Sequence, residues 1–235
     1  MEGFTYTNIF ETKGIEYIII ILFLLLLIPF WLIVNHKPVL KQALKQVQSL
    51  TAGILSIPQG IFFSKNHTWV HLEKTGDAKT GIDDFLLHVV GEVKIKAFRV
   101  AGNEIKKGDA IAELTAGDKR LTIYSPISGK ITDTNPLITE NHRITGTDIY
   151  EQGWFYTIKP SDWKAETAGF WFAEEASDWI KNELHRLKDF LSAAIAEYTP
   201  EKAPVTLQEG GELNINPLAD MQVEIWNEFQ KEFLV

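Results

Sequence analysis

The residues that could carry chemistry are few. His67 and His71 stand four apart, His88 follows, and Glu73 and Asp77 lie close in the chain. Imidazoles with carboxylates are the ligand set of a zinc-type site. The spacing argues against one. Thr68-Trp69-Val70-His71-Leu72-Glu73 alternates as a strand does, and in a strand a step of four puts both imidazoles on one side without the helical ligand face that such a pair needs. No metal is expected. The chain has no cysteine, which removes disulfides, thiolate zinc, iron–sulfur ligation and cysteine nucleophiles together and fits a reducing compartment. No glycine-rich phosphate loop, nucleophile elbow or HExxH motif occurs. No catalytic residue is therefore assigned, and the chain is not expected to be an enzyme. What remains is Lys119, next to a tight turn: Ala116-Gly117-Asp118-Lys119 separates the strand patterns Ala110–Thr115 and Arg120–Tyr124, as in a hairpin.

Positioning these residues takes more than one kind of element. The chain has 235 residues, 23% charged and 45% hydrophobic, which fits one or two folded domains and excludes wholesale disorder. Its 23 Lys and Arg against 31 Asp and Glu give a net charge of −8, a poor basis for holding nucleic acid by phosphate neutralisation. The acids gather in the last third: Ala165 to Val235 holds 14 Asp/Glu and 5 Lys/Arg, a net of −9, so the rest is near neutral and the two parts meet different surroundings.

Ile15 to Val34 is an apolar run with one charge, Glu16, at its edge. Twenty such residues rise about 30 Å as a helix, the thickness of a hydrocarbon core. The run exceeds a signal-peptide core, lacks basic residues before it and has no cleavage site after it, so it reads as a retained anchor. Tyr17 and Trp31 suit the interfaces, and Pro29 kinks the helix. Lys37, Lys41 and Lys45 follow the span, against Glu2, Glu11 and Lys13 before it. The expectation is thus a single-pass protein of the cell membrane, N-terminus outside and body cytoplasmic. His36 to Leu50 reads as an amphipathic stem.

From Ile61 to Lys159 short alternating strands are separated by glycine turns, the pattern of a small all-β barrel or sandwich. Here the residues carry a family resemblance. Phe63-Ser64-Lys65-Asn66-His67-Thr68-Trp69-Val70 resembles the Y-T-x-x-H-x-W-V opening of the glycine cleavage system H-protein. Gly81-Ile82-Asp83, Val90-Gly91-Glu92-Val93 and the run Gly102 to Asp109 are similar to its next motifs. Ile123-Tyr124-Ser125-Pro126-Ile127-Ser128-Gly129 matches I-Y-S-P-V-S-G, and Tyr150-Glu151-Gln152-Gly153-Trp154 resembles the closing Y-x-x-G-W. The resemblance covers 61–163 and implies a lipoyl-type barrel-sandwich fold, with a structural hydrogen-bonding role for His67.

The resemblance also implies a lysine at a hairpin tip, amide-linked to lipoic acid, which ferries intermediates between enzymes. Counting back six residues from Tyr124 without gaps reaches Asp118, not lysine, and the family's glutamate position holds Thr115. Gly108 aligns without a gap on the other side of the hairpin. Lys119 lies one residue later. Either the turn has slipped and Lys119 carries lipoate, or Gly117-Asp118 is a favourable turn pair and Lys119 a loop lysine.

Beyond the barrel, Ala173 to Tyr198 is a predicted helix, with Trp179, Ile180, Leu184, Leu187, Leu191 and Ile195 at helical spacing. Thr199 to Pro204 stops it, and Pro217 to Val235 predicts a second, with Trp226, Phe229 and Phe233 on its apolar face. These helices either pack on the barrel or dock to a partner; Phe170, Trp171, Phe172, Trp226, Phe229 and Phe233 are the candidate partner-binding residues. The organisation expected is a short external N-terminus (1–14), a transmembrane helix (15–34), an amphipathic linker (35–60), the H-protein-like domain (61–163) and a helical acidic extension (164–235), an α+β, mostly β chain. The expected function is a non-lipoylated, membrane-anchored structural or assembly subunit of a membrane complex. Its partners are the membrane and other protein subunits, with no nucleic acid, no small-molecule substrate and no cofactor. The alternatives are a tethered lipoyl carrier modified at Lys119 and a membrane-fusion-type transport adaptor.

Overall fold

The computed structural model describes residues 9–35, 49–141, 148–198 and 213–235, in two compact units, Met1–Gln46 and Val47–Val235. The first unit contains helix α1 (Ile9–Asn35), with Pro29 inside it. Its apolar side chains from Tyr17 to Phe30 and Trp31 stand exposed, mostly beyond 50%. Among the described residues no helix is long and apolar enough to cross a membrane. The side chains described on α1 run from Glu16 to Trp31, about 24 Å of helix at 1.5 Å per residue. Of the expected N-terminus (1–14), residues 9–14 belong to α1, while residues 1–8 and the stem lysines Lys37, Lys41 and Lys45 lie outside the described residues.

Among its described residues the second unit has a short 3-10 turn (Ala52–Ile54) and the strands β1 (Phe62–Phe63), β2 (Thr68–Leu72), β3 (Ala78–Ile82), β4 (Lys94–Ala97), β5 (Glu104–Ile105), β6 (Ala110–Ala116), β7 (Lys119–Tyr124), β8 (Gly129–Thr134), β9 (Tyr156–Pro160) and β10 (Trp171–Phe172). They form a seven-stranded sheet, β10-β1-β2-β3-β9-β8-β5, and a three-stranded sheet, β4-β6-β7. The expected barrel-sandwich is present. Inward side chains of both sheets, among them Trp69, Ile82, Ile111, Leu114, Leu121, Ile123, Ile131 and Ile158, join one core. Tyr156 on β9 ties the two sheets: its hydroxyl donates to the Ile111 carbonyl oxygen at 2.8 Å and accepts from Arg99 N at 3.0 Å. Close packing dictates some residue types outright. A Cβ on Gly81 would stand 2.8 Å from the Gly153 carbonyl oxygen and 3.0 Å from the Trp69 indole, so β3 can pass there only as glycine.

Among the described residues, this unit also carries helices α2 (Asp84–Val90), α3 (Pro136–Asn141), α4 (Trp163–Thr167), α5 (Ala173–Tyr198) and α6 (Val223–Phe233). Helix α5 has the expected bounds and buries Trp179, Ile180, Leu184, Leu187, Leu191 and Ile195. Helix α6 starts later than its apolar spacing predicts. Residues ahead of it are held by backbone bonds to other elements instead: Leu213 O accepts from Leu50 N at 2.7 Å, Asn216 N donates to His88 O at 2.8 Å, and Leu218 N donates to Val89 O at 3.1 Å. This strap crosses the end of α2 before α6 begins. Barrel and helical extension thus share one core within a single unit.

Candidate functional site

The hairpin β6–β7 is the place to look for a modification site. Gly117, at φ 66°, takes the first central position of a two-residue loop, where a primed hairpin turn needs a positive φ. Ala116 pairs with Lys119 across it. Asp118 is therefore the exposed tip residue, and Lys119 is already the first residue of β7. The ammonium of Lys119 does not project into solvent. Its Nζ donates to the Ala219 carbonyl oxygen at 2.6 Å and lies 5.5 Å from the centroid of the Trp226 ring, within the range of a cation–π contact.

The C-terminal segment also closes the strand itself. The amide of Gln230 on α6 spans Thr122: Thr122 N donates to Gln230 Oε1 at 2.6 Å, and Gln230 Nε2 donates to the Thr122 carbonyl oxygen at 3.1 Å. β7 is the edge of its sheet, and an uncovered edge invites pairing with another chain. Here a side-chain amide takes the place of a neighbouring strand. An amide-linked lipoyl group needs an amine free to be acylated and an arm free to swing. Asp118 offers no amine, and the amine of Lys119 is engaged by the Ala219 carbonyl oxygen and the Trp226 ring.

A second seam, built of charge, joins α5 to the barrel. His67 sits in the β1–β2 turn at φ 54° and is fully buried. Its Nδ1 lies 2.8 Å from Asp83 Oδ2. Asp83 also caps α2, accepting from Leu86 N at 2.8 Å, so one carboxylate starts a helix and holds the imidazole. On the other side, His67 Nε2 is 3.5 Å from Glu183 Oε2, an ion-pair contact too long for a hydrogen bond. Glu183 in turn receives both Arg186 Nη1 contacts, at 3.0 and 2.9 Å, and Arg186 donates to the Glu232 carbonyl oxygen while lying 4.2 Å over the Phe233 ring. Burial works against a charged His67, but Asp83 and then Glu183 outweigh it and raise the ring to about 9. Burial also pushes the Glu183 carboxyl up, and His67 and Arg186 overcome this to hold it below its usual value. The ring stacks between Phe85 at 4.3 Å and Trp179 at 5.2 Å. The structural role expected of His67 has this form.

The aromatic residues expected to face a partner divide. Trp226, Phe229 and Phe233 are buried in the chain's own core, at most 2% exposed, which corrects their assignment as docking residues. Phe229 stacks on Phe233 at 4.6 Å, and Trp226 Nε1 donates to the Leu218 carbonyl oxygen at 2.8 Å. Burying each such ring contributes roughly 1.5–3 kcal/mol, which favours the barrel surface as their resting place. Phe170 and Trp171 are half-buried, and Phe172 is 39% exposed while stacking on Phe62 at 4.7 Å. The three histidines do not converge. His71 Nδ1 donates to the Gly60 carbonyl oxygen at 3.0 Å and His88 Nδ1 to that of Asp84 at 2.8 Å.

Neither seam is evident from the spacing of apolar residues alone. Ala219 contributes only a carbonyl, and Gln230 is an ordinary helix residue in sequence. Glu183 does leave a signal: it occupies the apolar stripe of α5 between Trp179 and Leu187, and a carboxylate in that place needs a buried partner.

The family model described as glycine cleavage H-protein matches residues 61–183. Among curated relatives, the glycine cleavage system H protein of Coprothermobacter proteolyticus is 31% identical over 108 residues, covering 46% of this chain and 85% of the relative. That of Oceanobacillus iheyensis is 30% identical over 110 residues, 47% of this chain and 86% of the relative. The crystal structure of a glycine cleavage system H protein from Mycobacterium marinum aligns with a TM-score of 0.45 at 20% identity, over 52% of this chain and 98% of that one.

Proposed function

This chain belongs to the glycine cleavage H-protein family, and from that membership we propose that it acts as a membrane-anchored, non-lipoylated member that holds protein subunits of a membrane complex in place. The family carries lipoate on a lysine. In this member the family position is Asp118 and the neighbouring lysine is engaged by the chain's own C-terminal segment. The observation that carries the proposal is the bond from Lys119 Nζ to the Ala219 carbonyl oxygen, with the Trp226 ring beside it. A carrier arm must leave its barrel; here the site of the arm is built into a packing contact. The protein works without a cofactor and without catalysis of its own.

Anchoring rests on the apolar, exposed side chains of α1 and on the lysines after it, which favour the cytoplasmic side. Partner subunits bind the folded unit at a surface that includes Phe172, 39% exposed, the most exposed of the six candidate aromatic residues.

The test is an intact mass of protein purified from its native membrane in mild detergent, with peptide mapping across 114–124 and identification of co-purifying chains. An unmodified hairpin in a stable multi-subunit particle is the expected result. A lipoyl adduct on Lys119 would make the protein a tethered carrier, and a lone monomer in the soluble fraction would remove both anchor and assembly role.

A further inference from the structure

A cleft of about 420 Å³ opens beside β1 and β2, away from the hairpin lysine. Three parts of the chain meet around it: the turn carrying Lys65, the loop carrying Lys107, and the end of β7 with the segment after α4. Tyr124, Pro126, Phe170 and Trp171 give it apolar walls, and among the described residues the formally charged ones lining it are Lys65 and Lys107. Both lysines are exposed, and among the described residues neither pairs with an Asp or Glu side chain. Lys107 Nζ donates to the Glu166 carbonyl oxygen at 2.8 Å and lies 4.8 Å over the Phe170 ring. Lys65 Nζ reaches the Val235 carbonyl oxygen only at 3.5 Å. Glu166, whose carbonyl Lys107 meets, turns its carboxylate to Ser128, accepting from Ser128 N at 2.7 Å and from the Ser128 hydroxyl.

We propose that this cleft binds a small organic carboxylate with an aromatic or alkyl body. A space of this volume with mostly apolar walls and a few convergent polar groups has the size and lining of a small-molecule site. Its charge selects the ligand: two ammonium groups with unused donors at the mouth, no Asp or Glu among the described lining residues, and aromatic faces behind them. The anion meets Lys65 and Lys107 while its body lies between Pro126, Phe170 and Trp171. A cation of the same shape would face two like charges, and a neutral molecule would leave both ammonium groups without a counter-charge. The site lies apart from the Lys119 contact, and the inference stands whether or not the protein is an assembly subunit.

The experiment is calorimetric titration of the full chain in lipid nanodiscs with three probes of one shape: phenylacetate, benzyl alcohol and benzylammonium, with empty nanodiscs as the blank. Phenylacetate is expected to bind at one site per chain, benzyl alcohol at least about tenfold more weakly, and benzylammonium not at all, one charge-assisted hydrogen bond being worth about tenfold or more. Lys65→Gln and Lys107→Gln should each weaken phenylacetate about tenfold, whereas Lys107→Arg should retain binding. Thermal unfolding of each variant, unchanged from the parent, separates loss of the site from loss of the fold. Absence of saturable phenylacetate binding at millimolar concentration overturns the proposal. So does equal binding of benzyl alcohol, or binding that survives both Lys→Gln changes.

Discussion

The C-terminal helices close on the barrel along two seams made of different materials. At the α5 seam, His67, Asp83 and Glu183 put charge into a dry interior, with the exposed Arg186 at its outer end. At the α6 seam, Trp226, Phe229 and Phe233 bury apolar rings while Lys119 and Gln230 make neutral or backbone-directed hydrogen bonds. Charge that is buried must be matched partner for partner, because removing one member strands the other. Apolar burial is spread over many contacts and its polar trim is individually weak. The first seam therefore demands specific residues and responds to pH; the second demands bulk and does not.

The sharpest break should come at Asp83. Asp83→Ala removes the close partner of His67 and the cap of α2 together, a loss of about 4–5 kcal/mol in unfolding free energy. Urea unfolding checks it, and a loss under about 1 kcal/mol would mean that the seam carries no charge. The counterpart at the other seam is Trp226→Ala, which empties a fully buried site and should cost about 3–4 kcal/mol. Restoring bulk distinguishes the two: Trp226→Phe should recover more than half of that loss, whereas Asp83→Asn keeps the shape of Asp83 without its charge and should remain well below the parent.

The two seams also separate by pH. Within the fold His67 is raised to about 9 from the 6.5 of a free side chain. A raised folded pKa means stability that is complete below the unfolded value and lost as pH climbs through the folded one. Between pH 6.5 and 9 the unit should weaken by about 3 kcal/mol. The groups that face the ring are Asp83 ahead of α2 and, from α5, Glu183 with Arg186 behind it. His88 is also raised, by its hydrogen bond to Asp84, so His67→Gln should flatten most but not all of the slope. A stability–pH curve on parent and variant is the measurement; parallel curves would remove His67 as the source.

How far these seams could be read beforehand follows from what each is made of. The barrel was legible because alternating strands and glycine turns are local, and Gly81 and Gly153 mark close approaches that no other residue allows. Helix α5 was legible to its ends, since a 26-residue amphipathic stripe is a strong periodic signal. Helix α2 was missed. It is seven residues long, too short for periodicity to mark it, and in the sequence its capping Asp83 reads only as part of a motif. The strap ahead of α6 was also missed, because it is held by backbone carbonyls and amides that have no sequence signature. The same blindness explains Lys119: counting placed Asp118 at the tip, but nothing in the sequence shows that Ala219 O awaits the next residue.

The polar trim of the α6 seam should yield smaller effects. Gln230→Ala leaves Thr122 N and O on an edge strand without their partner. It should cost about 1 kcal/mol and speed amide exchange along β7 before it changes global unfolding, since an edge opens locally. Hydrogen exchange resolved to residues 119–124 is the check; equal exchange in parent and variant would show that water serves that edge as well as Gln230 does.

Lys119→Met should have the smallest effect on stability and the largest bearing on what the seam is for. The change keeps the apolar stem beside Trp226 and removes one hydrogen bond and one cation–π contact. A loss of only about 0.5–1 kcal/mol follows, against the several expected at Asp83. If Lys119 serves packing alone, the variant should reach the membrane and retain its co-purifying chains. If it carried a swinging arm, the same nearly harmless substitution would abolish activity in a fold that unfolds almost where the parent does. A small shift in unfolding midpoint with an intact particle places Lys119 among the trim of the α6 seam. An intact fold with lost function would make that seam a resting position for a lysine whose work lies outside it.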